Sequence, residues 1–462
     1  MSLVVQAPYD RSVLAHLEWT TPAEVERRLA SAYATYRDRS QWLTPDKRID
    51  ILRRLAGWLV AHAEELALGI AREGGKPLAD AKVEVARAVS GVEKATAFIS
   101  QLTGREIPMN ENAASAGRFA VTYREPRGVV LAVSAFNHPL NLLVHQVVTA
   151  IAAGCPVLVK PSLATPLTAG RLVEALLAAE LPANFCQLLL VPDETTAEVA
   201  ADRRLAFLSF VGSAKVGWML RSRLAPGATC MLEHGGVAPV LLDETADLDD
   251  ALPLLTKGAF YHAGQVCVSV QRVYVHASRA RELAARLAER AQTLVVGDPT
   301  DERTEVGPLI RPSEVTRVEA WVREAVSAGA EVLCGGQALS QTTYAPTVLW
   351  QPPDDARVST SEVFGPVVSV YPYDHIDDAI ARANTGDAYF QAGLFTQRLD
   401  VALDLSRRLE GTTVLVNDHS AFRVDWMPFG GHRLSGLGTG GLFESMREMT
   451  IERLIVFRSP QR

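Results

Sequence analysis

Apolar positions in the first quarter of the chain follow helical spacing. From Thr44 the sequence TPDKRIDILRRLAGWLVAHAEELALGIAREGG places apolar residues three or four positions apart up to Gly74, after a threonine and a proline typical of a helix start. This pattern predicts one long amphipathic helix, and PLADAKVEVARAVSGVEKATAFISQL predicts a second. The polar stretch GREIPMNENAASAG then leads to RFAVTYREPRGVV, whose alternation predicts a hairpin with an edge strand followed by a buried strand.

Short apolar runs alternate with helical patterns between residues 129 and 211. VVLAVSAF, PVLVK, CQLLLV and RLAFLSFVG are typical of buried strands, and the segments between them have helical spacing. Such alternation predicts a parallel sheet with right-handed crossovers, and ligands of such sheets bind at the carboxyl ends of the strands. The predicted ends are SAFNHP, KPSLATP and FVGSAKVG.

A second α/β segment is predicted after Glu233. It begins with the strand VAPVLL, continues with helices around Leu252–Tyr261 and Ser278–Thr293, and alternates to about Val416. We expect GDPTDERTEVGPLIRP to be its longest loop. The final IERLIVFRSP is typical of an exposed strand, which would pair with the hairpin near Ala120 or with a neighbouring subunit.

The overall composition narrows the class of protein. The 462 residues are 48% hydrophobic and 21% charged, which excludes a disordered chain and suggests two or three domains. A formal net charge of −7 provides no basic field for nucleic acid. The N-terminus carries no signal-peptide pattern, and no apolar run approaches the roughly 18–20 residues that span a bilayer. We therefore expect a cytoplasmic protein with neither a nucleic-acid nor a membrane partner.

Five cysteines are scattered without CxxC pairs, which predicts neither a disulfide framework nor a metal site. Cys267 differs from the others because Gly264 and Gln265 precede it in YHAGQVCVSVQR. Glycine allows a close backbone approach before a turn, where unpaired N–H groups lower the pKa of a thiol and can hold an oxyanion. The alternative is a buried structural cysteine. That interpretation is given to the four cysteines predicted inside apolar strands or helices: Cys155, Cys186, Cys230 and Cys334.

Seven motifs, in order along the chain, together resemble the aldehyde dehydrogenase superfamily. They are FNHPLN, KPSLATP, FVGSAKVG, MLEHGGVAP, AGQVCVS, SEVFGP and MPFGGHRLSGLG. Agreement of this breadth, over nearly the whole chain from about Thr44, is specific, whereas the GxxxxG of Gly212–Gly217 alone would be weak evidence. The resemblance implies an α/β fold with a Rossmann-type cofactor-binding domain, an α/β catalytic domain and a small β element for bridging or oligomerisation.

The implied domain boundaries follow the motifs. Residues 1–115 and 129–232, with part of 429–445, would form the NAD(P)-binding domain, and residues 233–428 the catalytic domain. Residues 116–128 and 446–462 would form the bridging element. Through this element the resemblance implies a homodimer or a homotetramer.

The resemblance also implies an aldehyde substrate and a covalent mechanism. The thiolate of Cys267 would attack the aldehyde to give a thiohemiacetal, whose hydride passes to a nicotinamide ring. The side-chain amide of Asn137 and the backbone N–H of Cys267 would hold the oxyanion. Glu233 would act as the general base that hydrolyses the resulting thioester, since apolar surroundings raise the pKa of a carboxyl towards the range suited to activating water. The alternative for Glu233 is a solvated carboxylate at a strand end.

The cofactor that the resemblance implies is NAD or NADP. In that comparison Lys160 and Ser162 would face the adenosine ribose, whereas Gly212, Ser213 and a helix from Ala214 would hold the pyrophosphate through N–H groups and the helix dipole. Glu362 would bind the nicotinamide ribose and Phe364 would pack on the ring. The full set of implied cofactor residues is Ser134, Phe136, Lys160, Ser162, Gly212, Ser213, Gly217, Glu362 and Phe364. The stretch GLGTGG at 436–441 has no strand before it and is predicted to be a loop.

One departure from the family pattern bears on the choice of cofactor. Many NAD-preferring members carry Glu directly after Lys-Pro-Ser, where this chain has Leu163. Leucine removes the repulsion that an acid would exert on a 2′-phosphate but adds no cation. Lys160 is the nearest positive group in the sequence, so NADP is permitted alongside NAD.

The implied substrate pocket departs further. Positions that are commonly aromatic in members accepting apolar aldehydes are His138, His145 and Arg423 here, and Phe429 retains one ring. His138 and His145 are seven residues apart and would share one face of a helix. These cationic and imidazole groups favour a polar or anionic aldehyde, such as lactaldehyde, glycolaldehyde, a semialdehyde, or a phosphono- or sulfo-substituted aldehyde. The alternative is that Arg423 forms a salt bridge with Asp425, Asp418 or a partner subunit and that the histidines bind carbonyl groups.

Three other functions are consistent with parts of the sequence. A CoA-acylating member of the family would use a thiol instead of water as acceptor, and Glu233 argues against it. A cysteine thioesterase or amidase would require a histidine paired with the nucleophile, and no motif gives His262 that role. A catalytically idle scaffold disagrees with the joint presence of Cys267, Glu233 and Asn137.

Overall fold

The computed structural model describes residues 2–459. The chain opens with an antiparallel hairpin of β1 (Ser2–Gln6) and β2 (Val13–Glu18), which the sequence patterns did not predict. Helix α1 (Pro22–Arg37) follows and starts at a capping box, in which the side chains of Thr21 and Glu24 each accept a hydrogen bond from the other residue's backbone N–H.

The predicted long helix after Thr44 is two helices, α2 (Pro45–Ala61) and α3 (Ala63–Gly74). They are separated at His62, whose φ of −112° and ψ of 18° interrupt the helical backbone. Apolar spacing is the same on both sides of His62, so periodicity alone does not reveal the break. The second predicted helix is confirmed as α4 (Leu78–Phe98), and the three helices pack their apolar faces into one core.

A six-stranded sheet confirms the predicted strand–helix alternation. Its strands, in spatial order β19-β9-β8-β5-β6-β7, are parallel except β19, which is antiparallel to β9. The strands are β5 (Val129–Val133), β6 (Val157–Lys160), β7 (Cys186–Leu188), β8 (Leu205–Val211), β9 (Thr229–Glu233) and β19 (Gly436–Leu437). The helices between the parallel strands are α5 (Asn141–Leu143), α6 (Thr149–Ala153), α7 (Pro166–Ala178), α8 (Asp193–Ala200) and α9 (Ala214–Arg223), with a π-helical segment (Val144–Val148) joining α5 to α6.

A seven-stranded sheet forms the second α/β unit, in the order β12-β13-β14-β11-β10-β16-β17. Its strands are parallel apart from the antiparallel edge strand β12. They are β10 (Pro239–Leu242), β11 (Arg272–His276), β12 (Glu331–Cys334), β13 (Thr347–Trp350), β14 (Val367–Tyr373), β16 (Gln391–Phe395) and β17 (Thr413–Val416). The helices are α10 (Leu248–Phe260), α11 (Ala277–Gln292), α12 (Pro312–Ser327), α13 (Arg357–Thr360), α14 (Ile376–Ala383) and α15 (Leu399–Arg408), and the predicted loop at 297–312 carries no helix or strand before Pro312.

The third sheet has the order β20-β4-β3, with β3 (Glu106–Ile107), β4 (Arg118–Pro126) and β20 (Thr450–Arg458). The predicted edge strand β4 is in fact central, because the polar stretch before it supplies β3 and the C-terminus supplies β20. The predicted pairing of the C-terminal strand is confirmed, since Val456 lies opposite Ala120. Eight of the nine residues of β20 are exposed, which leaves an open strand at the sheet edge.

Two further expectations are corrected by the structure. Cys155 lies in the turn between α6 and β6, where its thiol donates to the carbonyl of Met449 at 3.1 Å, and is not inside a helix or strand. The stretch GLGTGG begins with the two residues of β19, and a short helix α16 (Leu442–Glu448) follows it. A small pair of strands, β15 (Ala388–Tyr389) and β18 (His432–Arg433), completes the fold. Among residues 2–459, no helix combines the length and apolar character needed to cross a bilayer.

A buried ion pair connects α4 to the segment that follows β5. Lys76 contacts Glu84, and both side chains are almost fully enclosed. The other carboxylate oxygen of Glu84 accepts from the backbone N–H of Leu140 at 2.9 Å and of Asn141 at 3.1 Å, at the start of α5. Glu84 therefore fixes where α5 begins, immediately after Asn137 and His138.

Replacing Lys76 by Met is expected to destabilise the fold strongly, because it leaves the Glu84 carboxylate buried without its counter-ion, at a cost of about 3–5 kcal/mol in unfolding free energy. Chemical denaturation of the variant measures this. The exposed pair Arg281–Glu331 provides the control, since Arg281→Met should change the unfolding free energy by less than about 1 kcal/mol. The double variant Lys76→Met with Glu84→Gln should regain part of the loss. Equal stability of Lys76→Met and Arg281→Met would contradict the importance of this pair.

Candidate active site

A cavity of about 830 Å³ lies at the carboxyl ends of the strands of the six-stranded sheet. One wall is built from segments that directly follow β5, β6, β8 and β9, as the parallel-sheet pattern predicted. The opposite wall comes from the loops that precede β11 and β14, which carry Cys267 and Glu362. All the predicted site residues except His145 and Gly217 therefore line one cavity.

Cys267 is presented by a strained turn. Residues His262, Ala263 and Gly264 have φ values of 48°, 55° and 69°, and two of these left-handed residues are not glycine, which costs energy that the surrounding packing has to offset. At Gly264 a Cβ would lie 2.1 Å from the carbonyl oxygen of Gly365, so only glycine fits. The side chain of Gln265 holds the turn, since it donates to the carbonyl of Pro308 at 3.2 Å and accepts from the N–H of Ile310 at 2.9 Å.

Two N–H groups beside the thiol are available to a ligand. The side-chain amide of Asn137 donates one hydrogen to the carbonyl of Gln265 at 2.9 Å, which orients the group and leaves its second hydrogen available. The backbone N–H of Cys267 contacts its own sulfur and meets no other acceptor among residues 2–459. These two donors come from opposite walls of the cavity.

The thiol of Cys267 does not have the lowered pKa that the turn was expected to give it. It faces the cavity, but the surrounding protein desolvates it and raises its pKa to about 12. The negative charges of Glu362 and Glu233 act in the same direction. The guanidinium of Arg423 and the N–H of Cys267 oppose this rise, and they do not outweigh it. The thiol is therefore protonated at neutral pH in the empty cavity.

Glu233 ends β9 and is buried, with 7% of its surface exposed. Burial raises the pKa of its carboxyl, and the positive charge of Arg423 partly offsets this. The carboxylate lies against Gly440, where a Cβ would come within 2.0 Å of its oxygen. The solvated carboxylate considered as the alternative for Glu233 is not what the structure shows.

Arg423 lies in the cavity wall with its guanidinium 3.5 Å from the centroid of the Phe429 ring. It forms no salt bridge with any residue in the described range 2–459, and its Nε has no hydrogen-bond partner there. The carboxylate of Asp425, a predicted alternative partner, is held by Arg87 through two hydrogen bonds of 2.7 and 3.0 Å. Arg423 therefore offers a half-buried positive charge to the cavity.

His138 and His145 do not share one face of a helix. His138 precedes α5, lines the cavity and makes a 3.2 Å hydrogen bond with the hydroxyl of Tyr261. His145 lies in the π-helical segment, outside the cavity lining, and bonds the carboxylate of Asp425 at 2.9 Å. Burial and the charge of Arg423 lower the pKa of His145 to about 4, so its ring is neutral. The wider turn of the π helix disrupts the seven-residue spacing that the prediction assumed.

Arg87 and Asn141 line the cavity and were not predicted. A signal for Arg87 was present in the sequence, because Asp80, Glu84 and Arg87 recur at helical spacing on one side of α4. Charged residues on one face are usually read as solvent-exposed. The carboxylate partner of Arg87, Asp425, is more than 300 residues away along the chain, so the sequence alone does not reveal the pair.

The predicted cofactor residues lie around the other part of the cavity. Those that line it are Ser134, Phe136, Lys160, Ser162, Gly212, Ser213, Glu362 and Phe364. Gly217 lies outside the lining, one turn into α9, where a Cβ would clash with the ring of His234. Lys160 is paired with Asp193 at 2.8 Å.

Several polar groups in this part of the cavity have no hydrogen-bond partner in the described chain, and a bound dinucleotide could supply one. Glu362 is buried, one of its carboxylate oxygens has no hydrogen-bond partner in the described chain, and burial raises its pKa to about 8. The hydroxyl of Ser134 is also buried without a partner. Ser213 does not cap α9 with its side chain, so the first N–H groups of this helix remain free for an anion. Ribose hydroxyls and a pyrophosphate would satisfy these groups.

Comparisons with known proteins agree with this geometry. The sequence profile of the Aldehyde dehydrogenase family matches residues 2–455. The chain is 37% identical over 449 residues to 3-sulfolactaldehyde dehydrogenase of Priestia megaterium, covering 97% of this chain and 93% of that protein. The structure of aldehyde dehydrogenase 21 from Physcomitrella patens, in complex with the reaction product succinate, superimposes with a TM-score of 0.96 at 32% identity, covering 100% of this chain and 96% of that one.

A second solved structure is similar over an equal length. Glyceraldehyde-3-phosphate dehydrogenase GapN from Methanocaldococcus jannaschii, complexed with NADP, gives a TM-score of 0.94 at 32% identity, with 99% of each chain covered. The chain therefore belongs to the aldehyde dehydrogenase family and is an NAD(P)-dependent oxidoreductase. The expected family and fold class are confirmed.

Proposed function

We propose that this protein oxidises a small polar or anionic aldehyde to its carboxylate, with NAD(P)⁺ as hydride acceptor and Cys267 as the covalent nucleophile. The observation that carries the proposal is the meeting of Cys267, Glu233, Asn137 and Arg423 at one end of a single cavity. The proposal is supported by the charges of Glu233 and Arg423, both of which act on the Cys267 thiol.

The first step joins the sulfur of Cys267 to the carbonyl carbon of the aldehyde. The thiol proton has to leave as the bond forms, and the carboxylate form of Glu233, whose charge acts on this thiol and whose own pKa is raised by burial, is the base that accepts it. Arg423 stabilises the thiolate. The free N–H of Asn137 and the N–H of Cys267 donate to the oxygen as it becomes an oxyanion, and loss of one such donor costs about 2.7–4 kcal/mol of barrier.

The second half of the reaction releases the product. A nicotinamide cofactor held beside Glu362 and Phe364 would supply the hydride acceptor, and loss of the hydride from the carbon attached to Cys267 would leave a thioester on the sulfur. Glu233 takes a proton from a water molecule, and the water oxygen adds to the thioester carbon. The C–S bond then breaks, the carboxylate product leaves, and the sulfur of Cys267 regains a proton. A raised pKa suits Glu233 to this task, since it must accept a proton and release it again.

Arg423 supports the choice of an anionic substrate. A partly buried, desolvated guanidinium without a salt-bridge partner is costly unless a ligand supplies the negative charge. Sulfolactaldehyde and succinate, which the names of a relative and of a solved complex specify for those proteins, each carry an anionic group. We therefore place the carboxylate, sulfonate or phosphonate end of the aldehyde beside Arg423.

The open strand β20 supports a homodimer or homotetramer, and the free thiols of all five cysteines support a cytoplasmic location. The two large sheets correspond to the proposed NAD(P)-binding and catalytic domains, and the three-stranded sheet corresponds to the bridging element. In this assignment β3 would extend the bridging element beyond residues 116–128.

The rival functions find less support. Within residues 2–459 no histidine forms a hydrogen bond with Cys267, and both ring nitrogens of His262 are buried without partners, which disfavours a thioesterase or amidase. The enclosed carboxyl of Glu233 favours water over CoA as the acyl acceptor. Formation of acyl-CoA when CoA is added would support the CoA-acylating alternative.

Glu233→Gln should separate the two halves of the reaction. An amide can neither take the thiol proton nor activate water, so the first turnover should be slower but should still form up to one NAD(P)H per active site. The thioester should then accumulate, and steady-state turnover should fall by about 10²- to 10⁴-fold. Stopped-flow absorbance at 340 nm with succinate semialdehyde measures both phases. Glu289→Gln, at an exposed position of α11, is the control and should behave as the unmodified protein. Undiminished steady-state turnover in Glu233→Gln would contradict this role.

Arg423→Leu should change substrate preference. The ratio of kcat/KM for succinate semialdehyde over propionaldehyde is expected to fall by roughly tenfold to a hundredfold, because only the anionic aldehyde loses a charge-assisted contact. Arg423→Lys keeps the charge and should retain part of the preference. Initial rates over a range of both aldehydes give the ratio. An unchanged ratio, with both aldehydes equally slowed, would mean that Arg423 acts only on the thiol or on the fold.

A further inference from the structure

Among the described residues 2–459, six arginine and lysine side chains line the cavity, and their ion pairing divides them into two groups. Four have carboxylate partners: Arg87 pairs with Asp425, Lys160 with Asp193, and both Arg311 and Arg317 with Glu314. Arg11 and Arg423 have no salt bridge to any residue between 2 and 459. Arg423 belongs to the substrate end described above. Arg11 has no role in the chemistry proposed for that end.

Arg11 enters the cavity from the N-terminal hairpin, together with Val4 and Gln6. Its guanidinium donates to the side-chain oxygen of Gln6, which is neutral. The neighbouring carboxylate of Asp10 is occupied by the backbone N–H and the hydroxyl of Ser12, at 3.0 and 2.7 Å. The hairpin therefore holds a guanidinium in the cavity without neutralising it.

The position of Arg11 is fixed by the hairpin's anchors. At its base Thr20 donates to the carbonyl of Leu190 at 2.9 Å, and at its tip Thr342 donates to the carbonyl of Tyr9 at 2.9 Å. Arg11 itself has a φ of 64°, a left-handed conformation that non-glycine residues adopt only at a cost. Its N–H bonds the carbonyl of Ala7 at 3.1 Å, which closes the turn. These hydrogen bonds restrain the backbone that carries Arg11, whose side chain lines the cavity.

The hairpin and the loop proposed for the adenosine ribose line the same cavity, since Val4, Gln6 and Arg11 are in its wall together with Lys160, Ser162 and Leu163. Pro8 packs on Gly75, where a Cβ would lie 3.3 Å from the Pro8 Cβ, and a Cβ on Gly74 would lie 3.6 Å from the side chain of Thr165. Thr165 ends the loop that begins at Lys160. This loop contributes Leu163, which has no charge, and Lys160, whose ammonium group is already paired with Asp193.

We propose that Arg11 binds the 2′-phosphate of NADP and makes this protein prefer NADP to NAD. The inference rests on the proposed placement of the adenosine ribose beside Lys160 and Ser162. A guanidinium can donate two parallel hydrogen bonds to a phosphate, and the neutral contact with Gln6 is readily exchanged for a charge-assisted one. The two unpaired cations of the cavity then correspond to two anionic groups, the 2′-phosphate for Arg11 and the substrate anion for Arg423.

Calorimetric titration of the full-length protein with 2′,5′-ADP and with 5′-AMP tests the proposal without turnover. These probes differ only by the 2′-phosphate. The unmodified protein should bind 2′,5′-ADP more tightly than 5′-AMP. Arg11→Leu should lower the affinity for 2′,5′-ADP by about tenfold to a hundredfold and change the affinity for 5′-AMP little. Arg11→Lys should give an intermediate loss. Arg303→Leu, which removes an exposed arginine outside the cavity lining, should leave both affinities unchanged.

Two results would overturn the proposal. One is equal affinity of the unmodified protein for both probes, and the other is an equal loss for both probes in Arg11→Leu, which would show that the hairpin acts only on the shape of the site. Reduction of NAD⁺ by an aldehyde in the unmodified protein is a separate measurement. If it occurs while the probes bind equally, the aldehyde oxidation stands and only the assignment of Arg11 fails; if 2′,5′-ADP binds selectively and neither NAD⁺ nor NADP⁺ is reduced, the proposed oxidation fails alone.

Discussion

Desolvation of ionisable side chains in one cavity is the constraint on which the site depends. Cys267, Glu233 and Glu362 can each carry a negative charge, and at this end of the cavity Arg423 is the positive group without a carboxylate partner in the described chain. Burial favours the neutral form of each acid and keeps the thiol of Cys267 protonated in the empty site. A proton that passes from this thiol to the carboxylate of Glu233 leaves a thiolate, which the charge of Arg423 stabilises. Because Arg423 has no salt-bridge partner in the described chain, it also favours an anionic ligand.

The scaffold keeps these groups in place by connections between distant parts of the chain. The amide of Asn137, after β5, binds the carbonyl of Gln265, which is 128 residues further on and belongs to the turn of Cys267. Glu84 on α4 fixes the start of α5 next to Asn137. The carboxylate of Asp425 forms hydrogen bonds with Arg87, Asn141 and His145, and it forms no salt bridge with Arg423. The cavity therefore exists only when both large sheets are folded and packed together.

Much of the fold and site could be predicted from sequence, and the failures have physical causes. Apolar runs separated by helical patterns predicted the positions of the parallel strands. The ordered motifs singled out Cys267, Glu233 and Asn137 as site residues, and all three line one cavity. The break at His62 was not visible because apolar spacing continues across it, and His145 was misplaced because a π-helical segment changes the angle between residues. The pKa of Cys267 was predicted to fall from its local turn, whereas burial by distant segments raises it. The N-terminal hairpin gave no motif, although it supplies Arg11.

The rate at which iodoacetamide alkylates Cys267 in the cofactor-free protein, measured from pH 7 to 10 by mass spectrometry of the cysteine peptide, tests the central claim most directly. With a pKa of about 12, only on the order of one thiol in 100,000 is ionised at pH 7. A thiol that is protonated throughout this range should react about ten times faster with each pH unit, without levelling off. A plateau below about pH 8 would show a thiolate already formed in the empty cavity and would contradict the account.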